Sequence, residues 1–260
     1  MTTSIQPALF ISHGSPMLPL EDSPTTHFLS RLGESLARPD AIVIVSAHWE
    51  SGELAINGSL QPETIHDFSG FPRQLYQLDY PARGDAALGA RVKSLLEDEG
   101  FHPVTVVERG LDHGVWVPLM LMYPQADIPV LAVSLPRSLS PARLLDLGRA
   151  LGTLRAQNVL VVASGSYTHN LWALAEEGTP PPDWATAFSQ WVDDKLITGE
   201  RKALLDWKAQ APHAAVNHPS DEHFRPLFVA LGAGDEFTPP QRLHEDWRMG
   251  SLSMACWRFD

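Results

Sequence analysis

Short apolar runs rich in β-branched residues recur along the chain, at residues 8–11, 41–45, 104–107, 130–134 and 159–163. Near-continuous runs of this length predict strands buried on both faces of a sheet. Between them the apolar positions fall at helical spacing. In SPARLLDLGRALGTLRAQ, Ser140 stands as N-cap, Pro141 takes the first helical position, and Leu144, Leu147, Leu151 and Leu154 share one face. GDAALGARVKSLLEDEG predicts a helix that starts near Asp85 and stops at Gly100. Further helices are predicted over residues 184–197, 201–209 and 222–231, the last ended by Gly232. The C-terminal SLSMACWRF alternates, as an edge strand does. Strand and helix thus alternate, with no repeat and no low-complexity linker. The expectation is one α/β domain over residues 1–260, with a central, mainly parallel or mixed sheet flanked by helices.

Composition narrows the function classes. Hydrophobic residues make up 44% of the 260 positions, enough for a substantial core. The formal net charge of -12 lacks the basic footprint of a nucleic-acid binder and disfavours anionic membrane surfaces. A single cysteine, Cys256, excludes an intramolecular disulfide and a thiolate-rich metal site. MTTSIQPALF carries no basic stretch leading into a long apolar one, so a cytoplasmic location is expected. Eleven histidines against 19 Lys plus Arg is a high count, which points to metal chemistry or proton transfer.

The histidines follow a pattern. ALFISHGSP, AIVIVSAHW and NVLVVASGSYTHN each run from an apolar stretch through small residues into a histidine: His13, His48 and His169. Ligands of open α/β sheets bind beyond the carboxyl ends of the strands, so these three histidines can converge on one site. His223, in HPSDEHFRPLF, is a further candidate: Asp221 or Ser220 can cap a helix there and set His223 in its first turn. Taken alone, that position reads rather as solvent-facing, because the first turn of a helix is commonly exposed. Several neutral imidazoles with few carboxylates suit Zn, Fe, Cu or Ni better than Ca or Mg. Glu222 is expected to point elsewhere on the helix. His113, in GLDHGVW, sits near the start of an apolar helix that Asp112 can cap, where a neutral ring can carry protons or simply build the turn. His66 precedes Asp67, which either orients it or forms an Asx-turn. His27, His102, His213 and His244 read as surface residues, and His218 is left open. Phe68, Phe71, Tyr76 and Trp172 fit either an aromatic pocket or core.

Taken together, ALFISHGSP, AIVIVSAHW, TIHDFSGFPRQLYQLDYPARG, GLDHGVWVPLMLMYPQADIPVLAVSL, VVASGSYTHNL and DEHFRPLFVALGAG resemble the DODA-type extradiol ring-opening dioxygenases, in the same order over nearly the whole chain. The resemblance implies a metal site at one end of the sheet, holding one divalent ion, Fe(II) for ring cleavage or Zn(II) as a bound form. It implies His13, His48 and His223 as ligands, with His169 as an acid/base that also lies within reach of the ion. His113 matches a histidine of the substrate pocket that can share the acid/base role, and His66 falls in a segment expected to bind substrate. The implied reaction opens a catechol-type ring, such as that of DOPA, with O2 to a muconic semialdehyde. The partners would then be a small aromatic substrate and dioxygen, without nucleic acid or membrane, and with the oligomeric state open. Two other readings compete: a zinc hydrolase using the same ligands, and a non-enzymatic binding protein on this fold.

Overall fold

The structure, a computed structural model, describes residues 5–260. The first four residues, part of the segment read for a targeting signal, lie outside it. In chain order the elements are β1 (Ala8–Ser12), α1 (Pro24–Ser35), β2 (Ala41–Ser51), β3 (Ala55–Asn57), α2 (Ala86–Asp98), β4 (Val104–Val106), α3 (His113–Met122), β5 (Val130–Pro136), α4 (Pro141–Gly152) and β6 (Val159–Gly165). There follow α5 (Asp183–Ile197), α6 (Arg201–Leu205), α7 (Trp207–Gln210), α8 (Ala214–Asn217), α9 (Pro226–Ala233), β7 (Gln241–His244), β8 (Trp247–Arg248), β9 (Leu252–Ser253) and β10 (Cys256–Phe259).

Eight strands form one sheet in the order β4-β3-β5-β2-β6-β1-β10-β7. The centre, β5-β2-β6-β1, is parallel throughout. Antiparallel partners flank it, β3 beside β5 and β10 beside β1. The sheet is therefore mixed with a parallel core, as the alternating pattern implies.

Strand periodicity divides the apolar runs between two cores. Phe10, Val43, Val45, Leu131 and Val161 pack on one face beneath α4 and α9. Leu9, Ile11, Ile42, Ile44, Val130 and Val162 pack on the other beneath α1 and α3. Ser140 caps α4 as expected, accepting from the Arg143 N–H, and Asp85, at the expected start of α2, accepts from Ala87 and Leu88. Among the described residues no helix is long and apolar enough to cross a membrane.

Several expectations need correction. The 104–107 run is not doubly buried: β4 is the outermost strand, and Val107 is 63% exposed. The C-terminal β10 is interior, between β1 and β7, and β7 takes the edge instead. The helix over 201–209 is broken at Asp206 into α6 and α7. The last helix starts at Pro226, after a separate turn over residues 222–225, and runs past Gly232. Gly232 is a contact point rather than a stop signal, since a Cβ there would lie 2.0 Å from the Leu145 carbonyl oxygen of α4. His244 is half-buried, with its ring stacked on Phe28 at 4.4 Å.

Candidate active site

His13 continues β1 by one residue, its N–H donating to the Gly165 carbonyl at 3.0 Å. Gly14 then turns the chain away with φ of +66°, a conformation that favours glycine. Beneath the ring, the Ser164 hydroxyl of β6 donates to the Gly114 carbonyl. A hydroxyl has one proton, so its 2.9 Å contact with His13 Nδ1 must be donated by the ring. The proton of His13 is thereby fixed on Nδ1, and Nε2 is a free lone pair.

His48 was expected beyond the end of its strand, yet β2 continues through it to Ser51. The register explains its orientation. Val45 pairs with Val133 and Glu50 with Leu135, so residues 46–49 stand opposite Ser134 alone. An irregularity of this kind re-aims side chains at a functional edge. His48 is released from the sheet without the strand ending.

His223 occupies the turn before α9 rather than its first turn. Its Nδ1 donates to Glu222 Oε1 at 2.8 Å, which again leaves Nε2 as a lone pair. Glu222 thus belongs to the site, contrary to the expectation that it would point elsewhere. No helix separates the two neighbours, so both side chains reach the same region. His169 lies four residues beyond β6, where its N–H donates to the Asn217 carbonyl. Its ring stacks on His223 with centroids 3.5 Å apart.

His113 opens α3, but Asp112 makes no side-chain cap there. Asp112 is occupied instead, accepting from the Ser46 hydroxyl at 2.6 Å and from Arg109 at 2.9 Å. The cap is supplied by Asp67, whose Oδ1 accepts from both the backbone N–H and the Nδ1 of His113. Asp67 therefore orients His113, not its neighbour His66. His66 itself bonds the Leu78 carbonyl at 3.1 Å and packs on Phe68, outside the residues that line the cavity. His218 is buried among Phe188, Trp207 and Phe224, its Nε2 donating to the Tyr167 carbonyl.

The rings converge. His48 Nε2 lies 3.0 Å from His13 Nε2 and 3.2 Å from His223 Nε2. The ring protons of His13 and His223 sit on Nδ1, so a proton on His48 can satisfy at most one of these two contacts. A cation would satisfy all three nitrogens. Metal–nitrogen bonds of about 2.1 Å opened at about 90–110° place their nitrogens about 3.0–3.4 Å apart, so the donor set fits such an ion. Two wider groupings surround this point: His13, His48 and His113, and His169, Glu222 and His223, each with ligand atoms within 4.8 Å of one another.

Burial is the largest influence on His13, His48, His169 and His223 and holds them neutral, as ligands must be. It is joined by repulsion from neighbouring imidazoles in lowering His13 and His223 well below the ordinary histidine value. His48 is held at about 3 and His169 at about 4 by the same dominant cause. Burial alone would raise Asp67, but the hydrogen bonds from His113 outweigh it and hold the carboxylate at about 2.

Above the rings opens a cavity of about 660 Å³, walled by His13, His48, His113, His169 and His223. Its remaining wall is largely apolar, with Phe68, Phe71, Leu171, Trp172, Leu174 and Met249. Tyr76 packs behind Phe68 instead. The volume and the apolar walls suit one small aromatic ligand. The sequence reading names Asp67 and Glu222 but gives them other roles, and it does not single out Ser164, whose faint signal is a polar residue directly after an apolar strand run.

Residues 7–255 match the family described as the catalytic LigB subunit of aromatic ring-opening dioxygenase. The chain is similar to a 4,5-DOPA dioxygenase extradiol of Beta vulgaris, 41% identical over 265 residues, covering 98% of this chain and 97% of that one. It is likewise 41% identical over 268 residues to a 4,5-DOPA dioxygenase extradiol of Escherichia coli (strain K12), covering 98% and 94%. Among solved structures, a crystal structure of an uncharacterized protein from Escherichia coli K12 superposes with a TM-score of 0.84 at 34% identity, covering 98% of this chain and 100% of that chain.

Proposed function

The chain belongs to the LigB family of aromatic ring-opening dioxygenases, and from that premise we propose that it opens a catechol-type ring, such as that of DOPA, between a hydroxylated and an adjacent unhydroxylated carbon. Both atoms of O2 enter the product, a muconic semialdehyde. One observation carries the metal-dependent form of this reading: three imidazole nitrogens meet at 3.0 and 3.2 Å on the floor of an apolar cavity, with at most one proton between them.

In this proposal His13, His48 and His223 hold one divalent ion. When bound, Fe(II) supplies the electron transfer between ring and dioxygen that Zn(II), without redox chemistry, does not. Ser164 and Glu222 keep the proton of His13 and of His223 on Nδ1, so that both rings offer Nε2. His169, neutral and on the cavity wall, takes a proton from a catechol hydroxyl and returns it as the ring opens. His113 has its Nδ1–H committed to Asp67, so only its Nε2 remains to meet the substrate. The apolar walls of Phe68 and Phe71 enclose the ring and exclude water.

The test is oxygen consumption with a panel of catechols after reconstitution with Fe(II) under reducing conditions. Uptake of one O2 per ring opened is expected. Failure with every catechol, together with hydrolysis of an ester or amide in the Zn(II) form, would overturn the proposal in favour of a hydrolase.

A further inference from the structure

We propose that the cavity selects its catechol by the charge of the ring substituent: neutral and ammonium-bearing substituents are taken, and a substituent carrying only a carboxylate is rejected. This rests on the ring-opening reading of the site.

Among the described residues that line the cavity there is no lysine and no arginine, while Glu222 supplies a carboxylate. Four cations near the wall are committed elsewhere, and Arg73, two residues beyond Phe71, does not line the cavity. Arg248, next to the wall residue Met249, pairs with Glu21 at 2.8 Å and with Glu177 at 2.7 Å. Arg109 is held by Asp112 and the His48 carbonyl. Arg225 bonds the Leu139 carbonyl and faces Glu50, and Lys208 pairs with Asp221. An anionic substituent would enter without a counter-charge, and the chain's net charge of -12 adds to its exclusion.

The wall also carries features that favour a cation. Both hydrogen bonds of Glu222, from His223 and from Ser220, fall on Oε1. At the rim, Trp172 is 93% exposed although it lines the cavity, so an indole face stands free at the entrance. An indole face and a carboxylate together make a receptor for an ammonium group. A neutral alkyl substituent meets Leu171, Leu174 and Met249 at no electrostatic cost. The ring binds at the histidines in every case, so the substituent alone decides the ranking. A zwitterionic amino-acid substituent, as in DOPA, falls between the amine and the acid.

Three catechols of similar size separate the possibilities: 4-(2-aminoethyl)catechol, 4-ethylcatechol and 3-(3,4-dihydroxyphenyl)propanoate. On the Fe(II)-loaded enzyme, kcat/KM for the amine should exceed that for the acid by about tenfold or more, with the ethyl compound between. The same order should appear in Kd measured by calorimetry without oxygen, where no chemistry occurs. Leu174→Lys adds a cation at a rim position that is 39% exposed, and should narrow or invert the amine-to-acid ratio. An acid that binds and reacts within about threefold of the amine overturns the inference. If none of the three is opened, the ring-opening reading falls, while the oxygen-free affinities still decide the charge preference.

Discussion

Asp67 and His113 are joined twice: one carboxylate oxygen accepts from the backbone N–H of His113 at 3.0 Å and from its Nδ1 at 2.9 Å. A residue 46 positions upstream thereby caps α3 and fixes the ring at its start. The two effects are separable. Asp67→Ala removes both and should cost about 1 kcal/mol of stability, the usual worth of a cap. Asp67→Asn keeps an acceptor oxygen for the backbone N–H and should restore most of that stability. It removes the charge that orients the ring, so kcat should stay lowered by about 10–100-fold. Thermal melts and steady-state rates on both variants check this, and an Asp67→Ala enzyme with unchanged melting and turnover would refute it.

The Ser164 hydroxyl spends its one proton on the Gly114 carbonyl and so obliges His13 to donate from Nδ1. Ser164→Ala removes that obligation, and His13 can then place its proton on Nε2. Zinc affinity measured by equilibrium dialysis should fall by about 10–100-fold, while the far-UV circular dichroism of the chain stays unchanged. Undiminished affinity would show that Ser164 does not set the tautomer.

How much of this was legible follows from the range of the forces involved. The parallel centre of the sheet was legible because strands buried on both faces need unbroken apolar runs, as in residues 41–45 and 159–163. β3 and β7 were not, since Ala55–Asn57 and Gln241–His244 are too short or too polar to stand out from loops. The grouping of His13, His48 and His169 could be read from strand ends, even though His48 reaches the site by a register shift that no local pattern announces. Asp67 and Ser164 act through hydrogen bonds to His113 and His13, residues that only the fold brings near. Glu222 was misjudged for a specific reason: the helix expected around it begins four residues later, at Pro226.

The buried imidazoles make the metal-free protein sensitive to acid. His48, His169 and His218 are held at about 3, 4 and 3, chiefly by burial, against about 6.5 in the unfolded chain. Between those limits the unfolded state binds more protons, so stability is fully present above pH of about 6.5 and is lost as pH falls below it. Each such ring contributes a slope of up to about 1.4 kcal/mol per pH unit. Denaturant midpoints of the metal-free protein should therefore drop steeply from about pH 6.5 to about pH 4. Added Zn(II) should offset part of the loss by binding the folded state. A flat profile across that range would contradict the burial of these rings.

His13 and His169 stand differently toward the converging nitrogens. His13 Nε2 is a fixed lone pair 3.0 Å from His48 Nε2, with its far side anchored by Ser164. His169 stacks face to face on His223, its ring 3.5 Å away. A stacked ring lies beside its neighbour's donor atom, in a position suited to meeting a substrate proton. His13→Ala should therefore abolish most metal binding, since it removes one of three converging nitrogens. His169→Ala should keep most of the metal and slow ring opening by about 10²–10⁴-fold, the usual contribution of a positioned acid/base. Metal content by atomic absorption and rates at equal Fe(II) loading distinguish the two outcomes. Should His169→Ala lose its metal as completely as His13→Ala, His169 is a ligand from the grouping it forms with Glu222 and His223. The proton then passes to His113, the remaining imidazole on the cavity wall, and Asp67→Asn should abolish turnover rather than reduce it.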